Sequence, residues 1–531
     1  MISIGRVYSL VCAVVCLILL TVGFPFPGAA QEKIPQGGSF TIGIIDDAKI
    51  WPIQGGVFNV LTNKALYSTL VRYHHETLEP VGDLAESWDL SPDGKVYTFT
   101  LRRNVKWHDG HPFTAKDVAF SFSTWLNPKI PYYLRQSVGN VTGTEIVNDH
   151  TIKVLLKEPT SSLPDLLAYL MNILPEHLLG KVSPADMVTP TEFLKRPIGT
   201  GPFKFHSRVP GSYIRLAANE DYFLGRPHLD SFIFKIIPSI DTQLAQLRTG
   251  ELDFAEIEPP QIDALKGVPH IDINSVPILK YTYLMVNNKD PLFQDVRVRR
   301  ALLHAIDRET LKKTVMADRA QICTGIIAPP LKWAYNPNVR TYEYDVKKAE
   351  ALLAEAGWKK GPDGILTKDG KRFSFIFILD PGNPVREQTA LYTQQAWKRL
   401  GMEIKLEYYE YGVIVSRIRK NPPEYQANIN WYVQPATPDL SAYYGTGGAT
   451  NSTNYSNPEV DRLFDEGRKT SDRKKQTEIF GKIQQIMADD LPLLFLFYPD
   501  EIRAINKRIG GFANVGYRDA FAWSHQLYIK R

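Results

Sequence analysis

A strand–helix–strand pattern over residues 373–408 is the feature that most restricts the fold of this chain. Residues 373–379 form an almost continuous apolar run, which is typical of a strand buried on both faces. Residues 389–400 have helical periodicity, and residues 402–408 have the pattern of a second strand. Because a helix that joins two such strands makes a parallel crossover, this part of the chain is predicted to form a mainly parallel sheet covered by helices.

The rest of the chain also alternates strands with helices. Further strands are predicted at residues 38–45, 149–156, 232–237, 427–433 and 491–498, and two helices within 457–489. A helix capped by Asp345 is expected to end at Gly357. Its inward face is predicted to consist of Val346, Ala349, Leu352, Leu353 and Ala356.

Composition places the chain among ordinary globular proteins of several domains. It has 531 residues, of which 44% are hydrophobic and 22% charged. The formal net charge of +5 is small, and Lys and Arg are spread along the chain. This distribution does not indicate a nucleic-acid partner.

The N-terminus has the pattern of a secretory signal peptide. Arg6 precedes an apolar run at residues 10–24, which is shorter than the roughly 20 residues that span a bilayer. We predict a signal peptide at residues 1–30, cleaved before Gln31, with an uncleaved anchor as the alternative. Cleavage would leave Cys323 as the single thiol, so no internal disulfide is expected.

Residues 84–117, with the sequence LAESWDLSPDGKVYTFTLRRNVKWHDGHPFTAKD, are predicted to form strand, turn, strand, turn and helix. The turn contains Pro92 and Gly94, and Thr114 is placed to cap a helix whose third residue is Asp117. This string resembles a signature of the bacterial extracellular solute-binding proteins, family 5. That family comprises peptide, opine and nickel substrate-binding proteins of ABC importers.

Five further strings resemble that family and follow in the expected order. They lie at residues 197–203, 215–238, 241–257, 294–311 and 454–467. The resemblance thus covers most of residues 37–500. It implies an α/β, two-lobed periplasmic binding protein with an extra subdomain, mixed or mainly parallel sheets flanked by helices, and a hinge between the lobes.

The resemblance also implies a domain organisation. The first lobe, with its smaller subdomain, is expected at residues 31–284, and the second lobe at 285–490. Residues 491–531 are expected to return to the first lobe. The hinge is expected near residues 280–287 and 491–498.

The function that the resemblance implies is capture of a peptide or related small solute in the periplasm by hinge closure. The ligand would pass to a pair of inner-membrane ABC permeases with their ATPases. A monomer without cofactor, metal or catalytic activity is expected. Two alternatives remain open, namely a non-peptide ligand such as an opine or sugar conjugate, and a sensor role. A secreted hydrolase is disfavoured because the sequence lacks Gly-x-Ser-x-Gly, His-Glu-x-x-His and Walker A motifs.

The loop after the strand at residues 427–433 is the favoured ligand segment, since ligands of α/β sheets bind beyond the carboxyl ends of strands. Trp431 matches an aromatic position of the family, and Tyr432 and Asp439 lie in the same segment. In many peptide-binding members, an Asp three residues after that Trp pairs with the peptide's α-ammonium. Gln434 stands at this position here.

Gln434 bears on the ligand because a neutral amide cannot neutralise a buried ammonium. An amide suits a hydroxylated, amide-containing or anionic ligand. The alternatives are a different register of the loop, or replacement of the missing carboxylate by Asp439 or by Asp46 and Asp47. In a regular strand, Trp431 and Gln434 would also point to opposite faces.

Three further aromatic residues are candidates for the pocket wall. Tyr411 lies near a family position that carries an aromatic wall residue, and core packing is the alternative. Trp51 and Phe58 follow the first strand, where core packing is favoured.

His74 and His75 lack metal-ligand spacing with other side chains.

Overall fold

The computed structural model of this chain describes residues 34–55, 57–132, 134–420, 422–448, 450–512 and 520–531. The chain divides into two units, residues 1–35 and residues 36–531. In the first unit only Ile34 and Pro35 are described, and both lie outside helices and strands. The predicted signal peptide at residues 1–30 lies outside the described residues.

The second unit contains strands and helices throughout its length. The strands are β1 (Ser39–Ile44), β2 (Val71–Tyr73), β3 (Pro80–Gly82), β4 (Ala85–Leu90), β5 (Val96–Leu101), β6 (Val141–Asn148), β7 (Thr151–Leu156), β8 (Phe203–Val209), β9 (Tyr213–Ala218), β10 (Ser231–Ile236), β11 (Phe254–Ile257), β12 (Ile271–Pro277), β13 (Lys280–Val286), β14 (Ala320–Ile322), β15 (Lys359–Lys360), β16 (Leu366–Lys368), β17 (Lys371–Arg372), β18 (Ser374–Leu379), β19 (Glu403–Tyr408), β20 (Ala427–Val433), β21 (Leu494–Asn506), β22 (Ile509–Gly510) and β23 (Tyr528–Ile529). The α-helices are α1 (Val57–Leu66), α2 (Ala115–Leu126), α3 (Leu163–Leu170), α4 (Glu176–Leu179), α5 (Thr191–Lys195), α6 (Ile240–Thr249), α7 (Ile262–Leu265), α8 (Val296–His304), α9 (Arg308–Val315), α10 (Val346–Glu355), α11 (Pro384–Arg399), α12 (Tyr411–Arg419), α13 (Ser441–Tyr444), α14 (Pro458–Lys469) and α15 (Arg473–Asp490).

A large mixed sheet organises this unit. Its strand order is β19-β18-β20-β13-β21-β11-β1-β10-β9-β8, and β12 and β14 also pair with β21. The pairs β18–β19, β18–β20, β1–β10 and β1–β11 are parallel, whereas the other described pairs in this sheet are antiparallel. The α/β class is confirmed, and the sheet is mixed because β13 and β21 run antiparallel to the strands with which they pair.

Strand β21 belongs to both lobes. Its first part, up to Pro499, pairs with β13 and β14, and its second part, from Asp500, pairs with β11 and β12. The sequence predicts this strand only to residue 498, so the prediction omits the part that enters the first lobe. The chain makes its other crossing between β12 and β13, and the predicted lobe limit at residue 284 falls inside β13.

A four-stranded antiparallel sheet, in the order β4-β5-β7-β6, forms the centre of the smaller subdomain. The pattern predicted for residues 84–117 is confirmed, since β4 and β5 pair and α2 follows. Thr114 and Asp117 form the predicted capping box at the start of α2. This cap satisfies backbone N–H groups that the first turn of a helix leaves unpaired.

Two predicted buried positions are exposed, and these predictions are wrong. Ile376 is 36% exposed in β18, because Trp397 of α11 covers the alternate face, where it packs on Phe375 and Phe377. Val346 is also 36% exposed, because it is the first residue of α10 and lies within an exposed segment at residues 343–348. The other members of the predicted face of α10 are buried or half-buried.

Cys323 is a fully buried free thiol, and burial raises the pKa of the thiol to about 12. The described part of the chain holds no helix with both the length and the apolar character needed to cross a bilayer.

Candidate ligand-binding site

A cavity of about 610 Å³ lies where the two lobes meet, and both lobes contribute to its walls. The first lobe provides the end of β1 and strand β11, and the second lobe provides β13, β20 and the start of α11. The residues Pro499 to Ile502 line it from β21, at the point where that strand passes from one lobe to the other. Its size falls within the range of small-molecule sites, about 300–1,000 Å³.

The second-lobe wall follows from the alternation of side chains along two paired strands. Thr282 lies opposite Trp431, and Lys280 lies opposite Val433. These four residues, with Ile429, share one face of the β13–β20 pair and line the cavity. The Lys280 ammonium lies 5.1 Å from the centre of the Trp431 ring, within the range of a cation–π contact.

Cationic groups of the cavity lie on the second lobe. Besides Lys280, the wall contains Arg386, in the first turn of α11. The Arg386 guanidinium forms an ion pair with Asp380 and lies 5.4 Å from the centre of the Tyr411 ring. Asn383 caps this helix by accepting a hydrogen bond from the Arg386 backbone N–H at 2.9 Å. The helix N-terminus adds partial positive charge to this wall.

Carboxylates of the cavity lie on the first lobe and at the crossing. They are Glu256, Glu258, Asp500 and Glu501. Glu501 pairs with the fully buried Arg503. Burial raises the pKa of Asp500, whereas the charge of Arg319 lowers it.

The wall therefore has opposite charges on its two sides. Arg503 offsets part of the negative charge, since it pairs with Glu501 and lies opposite Glu256 in the β11–β21 register. Such a cavity suits a ligand that carries both an ammonium and a carboxylate group.

The structure brings together only part of the predicted ligand residues. Trp431 and Tyr411 both line the cavity. Tyr432 faces the other side of the β13–β20 pair, where its ring centre lies 5.4 Å from that of Tyr281 and 4.4 Å from that of Tyr443. This placement follows from the strand alternation, because neighbouring residues of β20 point to opposite faces.

Gln434 is fully buried and is not a wall residue of the cavity. Its Oε1 accepts a hydrogen bond from the Ala328 backbone N–H at 3.0 Å, and its Nε2 donates to the Thr437 carbonyl at 3.4 Å. The amide thus connects two loops of its own chain. The neutrality of Gln434 therefore carries no argument about the charge of the ligand.

Asp439 also lies apart from this cavity. Its Oδ1 accepts a hydrogen bond from the Ser441 backbone N–H at 3.1 Å, and its Oδ2 lies 3.9 Å from Arg468 Nε. Burial raises the pKa of Asp439. The second alternative carboxylate, Asp47, forms an ion pair with Arg208 at 2.7 Å.

Trp51 is a core residue in the structure. It is fully buried, its Nε1 donates to the Met187 carbonyl at 3.2 Å, and its ring packs on Phe193. Trp51 therefore packs in the core, which is the alternative favoured from the sequence, and it is not among the residues that line the cavity. The Phe58 side chain lies outside the described residues.

Sequence reasoning missed Lys280, Arg386 and the carboxylates of the first lobe. A signal for Arg386 was present, because the helix cap at Asn383 directly follows a buried strand, where α/β proteins place ligand sites. No such local signal marks Glu256 or Glu501, since the crossing of β21 between lobes depends on distant pairing.

In the described residues, no group of three or more His, Cys, Asp or Glu side chains is arranged to hold a metal ion.

Two lobes joined by a shared strand, with a cavity between them, define a solute-binding protein of the periplasmic type. The model of the bacterial extracellular solute-binding proteins, family 5 middle, matches residues 79–454. This chain belongs to that family.

Individual relatives agree with this assignment. The oligopeptide-binding protein AppA of Bacillus subtilis is 33% identical over 499 residues, which cover 92% of this chain and 91% of the relative. The dipeptide-binding protein of Escherichia coli is 30% identical over 514 residues, which cover 91% of each chain.

Solved structures also resemble this chain over nearly their whole length. The structure of B. subtilis AppA in complex with a nonapeptide has a TM-score of 0.78 and 31% identity, and the similarity covers 94% of this chain and 100% of AppA. Campylobacter jejuni NikZ in complex with Ni(L-His) has a TM-score of 0.79 and 28% identity, with 92% and 99% covered. The two-lobed fold predicted from the sequence is confirmed.

Proposed function

We propose that this chain is the substrate-binding component of an ABC importer and that its ligand is a peptide. The observation that carries the proposal is the distribution of charge in the cavity between the lobes. Lys280 and Arg386 lie on one side, and Glu256, Glu258 and Glu501 lie on the other. A peptide with free termini presents an ammonium and a carboxylate that match the two sides.

The relatives support a peptide rather than another solute. The two curated relatives named above carry the names oligopeptide-binding and dipeptide-binding protein, and AppA has been solved with a nonapeptide. NikZ, which has been solved with Ni(L-His), keeps a non-peptide ligand as the alternative.

Hinge closure is the proposed mechanism of capture. The lobes would follow the sequence prediction, residues 31–284 with 491–531 and residues 285–490, except that the limits move to the connection between β12 and β13 and to Pro499–Asp500. Lys280 then lies on the second lobe. The crossing of β21 at Pro499 and Asp500 and the connection between β12 and β13 would act as the hinge. A ligand that contacts Glu256 and Lys280 at once makes both contacts only when the lobes are close, so it shifts the population toward the closed state.

The proposed site uses Trp431 and Tyr411 as aromatic walls, with Lys280 and Arg386 for the carboxylate of the ligand.

We place the mature protein in the periplasm of a Gram-negative type of cell, as a monomer that docks on a pair of permeases with their ATPases. No catalytic role is assigned, and the ligand would leave unchanged.

Calorimetric titration with capped and uncapped peptides tests the proposal. An uncapped tripeptide should bind, whereas N-acetylation or C-amidation should each weaken binding, because each removes one charge that the cavity faces. Binding of all three forms with equal affinity would contradict the charge argument.

A parallel screen separates the alternatives. Thermal stabilisation by an opine, a sugar conjugate or Ni(L-His), with none by peptides, would overturn the peptide assignment. Mass spectrometry of the recovered ligand should give the unchanged mass, and a cleaved product would indicate a hydrolase. Loss of the gene should abolish peptide uptake, and intact uptake would indicate a sensor.

A further inference from the structure

A second cavity of about 220 Å³ lies next to the first. It is lined by Tyr283 and Met285 of β13, and by Asn430 and Tyr432 of β20. These residues occupy the face of the strand pair opposite to that of Thr282, because Tyr283 pairs with Asn430 and side chains alternate along each strand. The second cavity therefore lies within the second lobe, between the sheet and helix α12.

The two cavities share part of their walls. Trp431 and Tyr411 line both of them. Each of these rings has a cation of the main cavity near it, Lys280 at 5.1 Å from Trp431 and Arg386 at 5.4 Å from Tyr411. The two cavities therefore adjoin near Trp431 and Tyr411, past the last described pair of β18 and β20, which joins Ile378 and Asn428.

The second cavity has an unusually aromatic wall. Tyrosines at positions 283, 411, 432, 443 and 444 line it together with Trp431. The ring centres of Tyr432 and Tyr443 are 4.4 Å apart, and the hydroxyls of Tyr281 and Tyr444 are 2.6 Å apart. These contacts fix the rings in place, so the cavity is organised before a ligand enters.

The charge of the second cavity differs from that of the main one. Among the described residues that line it, Arg419 is the one charged side chain, and the polar remainder consists of hydroxyl and amide groups. An aromatic ring gains from edge-to-face contact with such a wall, whereas a Lys or Arg side chain would face the positive charge of Arg419 without a carboxylate to pair with. At about 30 Å³ per water molecule, 220 Å³ corresponds to roughly seven waters, enough for one large side chain.

We infer that the second cavity is a specificity pocket that takes one neutral aromatic side chain of the ligand, which enters past Trp431 and Tyr411. This inference rests on the proposed function, since it requires a peptide in the main cavity. The remainder of the peptide keeps its charged termini among Lys280, Glu256 and Glu501. The protein therefore selects for peptides with an aromatic residue at one position and against peptides with a cationic residue at that position.

Helix α12 provides matched variants for the test. Val415 lines the second cavity, whereas Val413 of the same helix is 45% exposed and lines neither cavity. Val415→Phe should fill the pocket, and Val415→Ala should enlarge it. Val413→Phe is the control for the added ring and for helix stability.

The measurement is calorimetric titration of the protein and its variants with tripeptides. The set contains trialanine and its variants with Phe, Lys or cyclohexylalanine at each position in turn. For the unaltered protein, Phe at one position should bind about tenfold more tightly than Ala, because a buried ring adds apolar and aromatic contacts. Lys at that position should bind no better than Ala.

The variants decide whether the pocket causes this preference. Val415→Phe should remove the preference for Phe while trialanine still binds, and Val415→Ala should extend the preference to Trp. Val413→Phe should behave as the unaltered protein. If peptides bind without a preference for Phe over Ala, if cyclohexylalanine equals Phe, or if Val415→Phe retains the preference, the inference is wrong although the proposed function stands. If no peptide binds at all, the proposed function itself fails.

Discussion

The side chain of Gln476 donates a hydrogen bond to the hydroxyl of Ser161 at 2.8 Å, and this bond joins helix α15 of the second lobe to the smaller subdomain. The Ser161 backbone N–H also donates to the Arg468 carbonyl at 3.1 Å. Gln476 is buried and Ser161 is half-buried. The two parts of the chain thus meet at a second place, apart from the strands that cross between the lobes.

Ser161→Ala should weaken ligand binding more than it weakens folding of either lobe. The substitution removes the hydroxyl that accepts from Gln476 and donates to the Arg468 carbonyl at 3.3 Å, and hydrogen bonds of this kind have a net contribution of about 1 kcal/mol. If the contact stabilises the closed arrangement, peptide affinity should fall by about fivefold.

Calorimetric titration and a thermal melt of the ligand-free protein separate these effects. Ser162→Ala is the control, because the Ser162 side chain makes no capping hydrogen bond to helix α3. An unchanged peptide affinity for Ser161→Ala would show that this contact does not depend on closure.

Asp165, four residues further on, should make stability depend on pH. Burial raises the pKa of this carboxyl to about 7, the charge of Arg473 lowers it, and the charge of Glu79 raises it. The unfolded chain has an Asp pKa of about 3.9. Between about pH 4 and pH 7 the folded state therefore holds a proton that the unfolded state has released, so stability falls as pH rises through this window.

The comparison of the protein with Asp165→Asn isolates this effect. The free energy of unfolding should fall by up to about 4 kcal/mol over the window in the unaltered protein, and the slope should be reduced in the variant. Urea unfolding at several pH values measures both slopes. Parallel slopes for the two proteins would mean that Asp165 titrates as in the unfolded chain.

Local sequence patterns predicted the elements around the site well. The capping box of Thr114 and Asp117 and the limits of β20 depend on neighbouring residues, so the sequence determines them directly. Trp431 was predicted as a ligand residue from its position near the carboxyl end of that strand, and it lines the cavity between the lobes.

Long-range contacts could not be predicted in the same way. The side-chain amide of Gln434 accepts a hydrogen bond from the backbone of Ala328, which is 106 positions away. The second part of β21 pairs with strands that lie more than 200 residues earlier in the chain. Arg308 donates to the carbonyls of Cys323, Phe495 and Tyr342. A charged residue in a helix pattern gives no sign that it will be buried, because its partners are brought together only by the complete fold.

Trp431→Ala should reduce peptide affinity with little loss of stability. The ring is half-buried and lines the cavity on the same face as Thr282, so its removal takes away ligand contacts more than core packing. A loss of about 2 kcal/mol of binding free energy is expected.

Trp431→Phe is the matched variant, since it keeps an aromatic wall and should recover part of the affinity. Titration with one peptide and thermal melts of the free proteins provide the two readouts. If Trp431→Ala binds the peptide as tightly as the unaltered protein does, Trp431 does not belong to the ligand site.

Gln434→Glu decides whether residue 434 has a structural role or a ligand role. The substitution keeps the size of the side chain and the acceptor for the Ala328 N–H, but the carboxylate cannot donate to the Thr437 carbonyl and would be buried. A buried, incompletely paired carboxylate should destabilise the protein by about 2–3 kcal/mol at neutral pH. Protonation at lower pH should relieve part of this loss, because the neutral acid can again donate. Thermal melts at neutral and acidic pH measure both effects.

Peptide affinity per folded molecule should stay the same, since the side chain does not reach the cavity. A selective gain in affinity for peptides with a free ammonium, without loss of stability, would instead place residue 434 at the ligand.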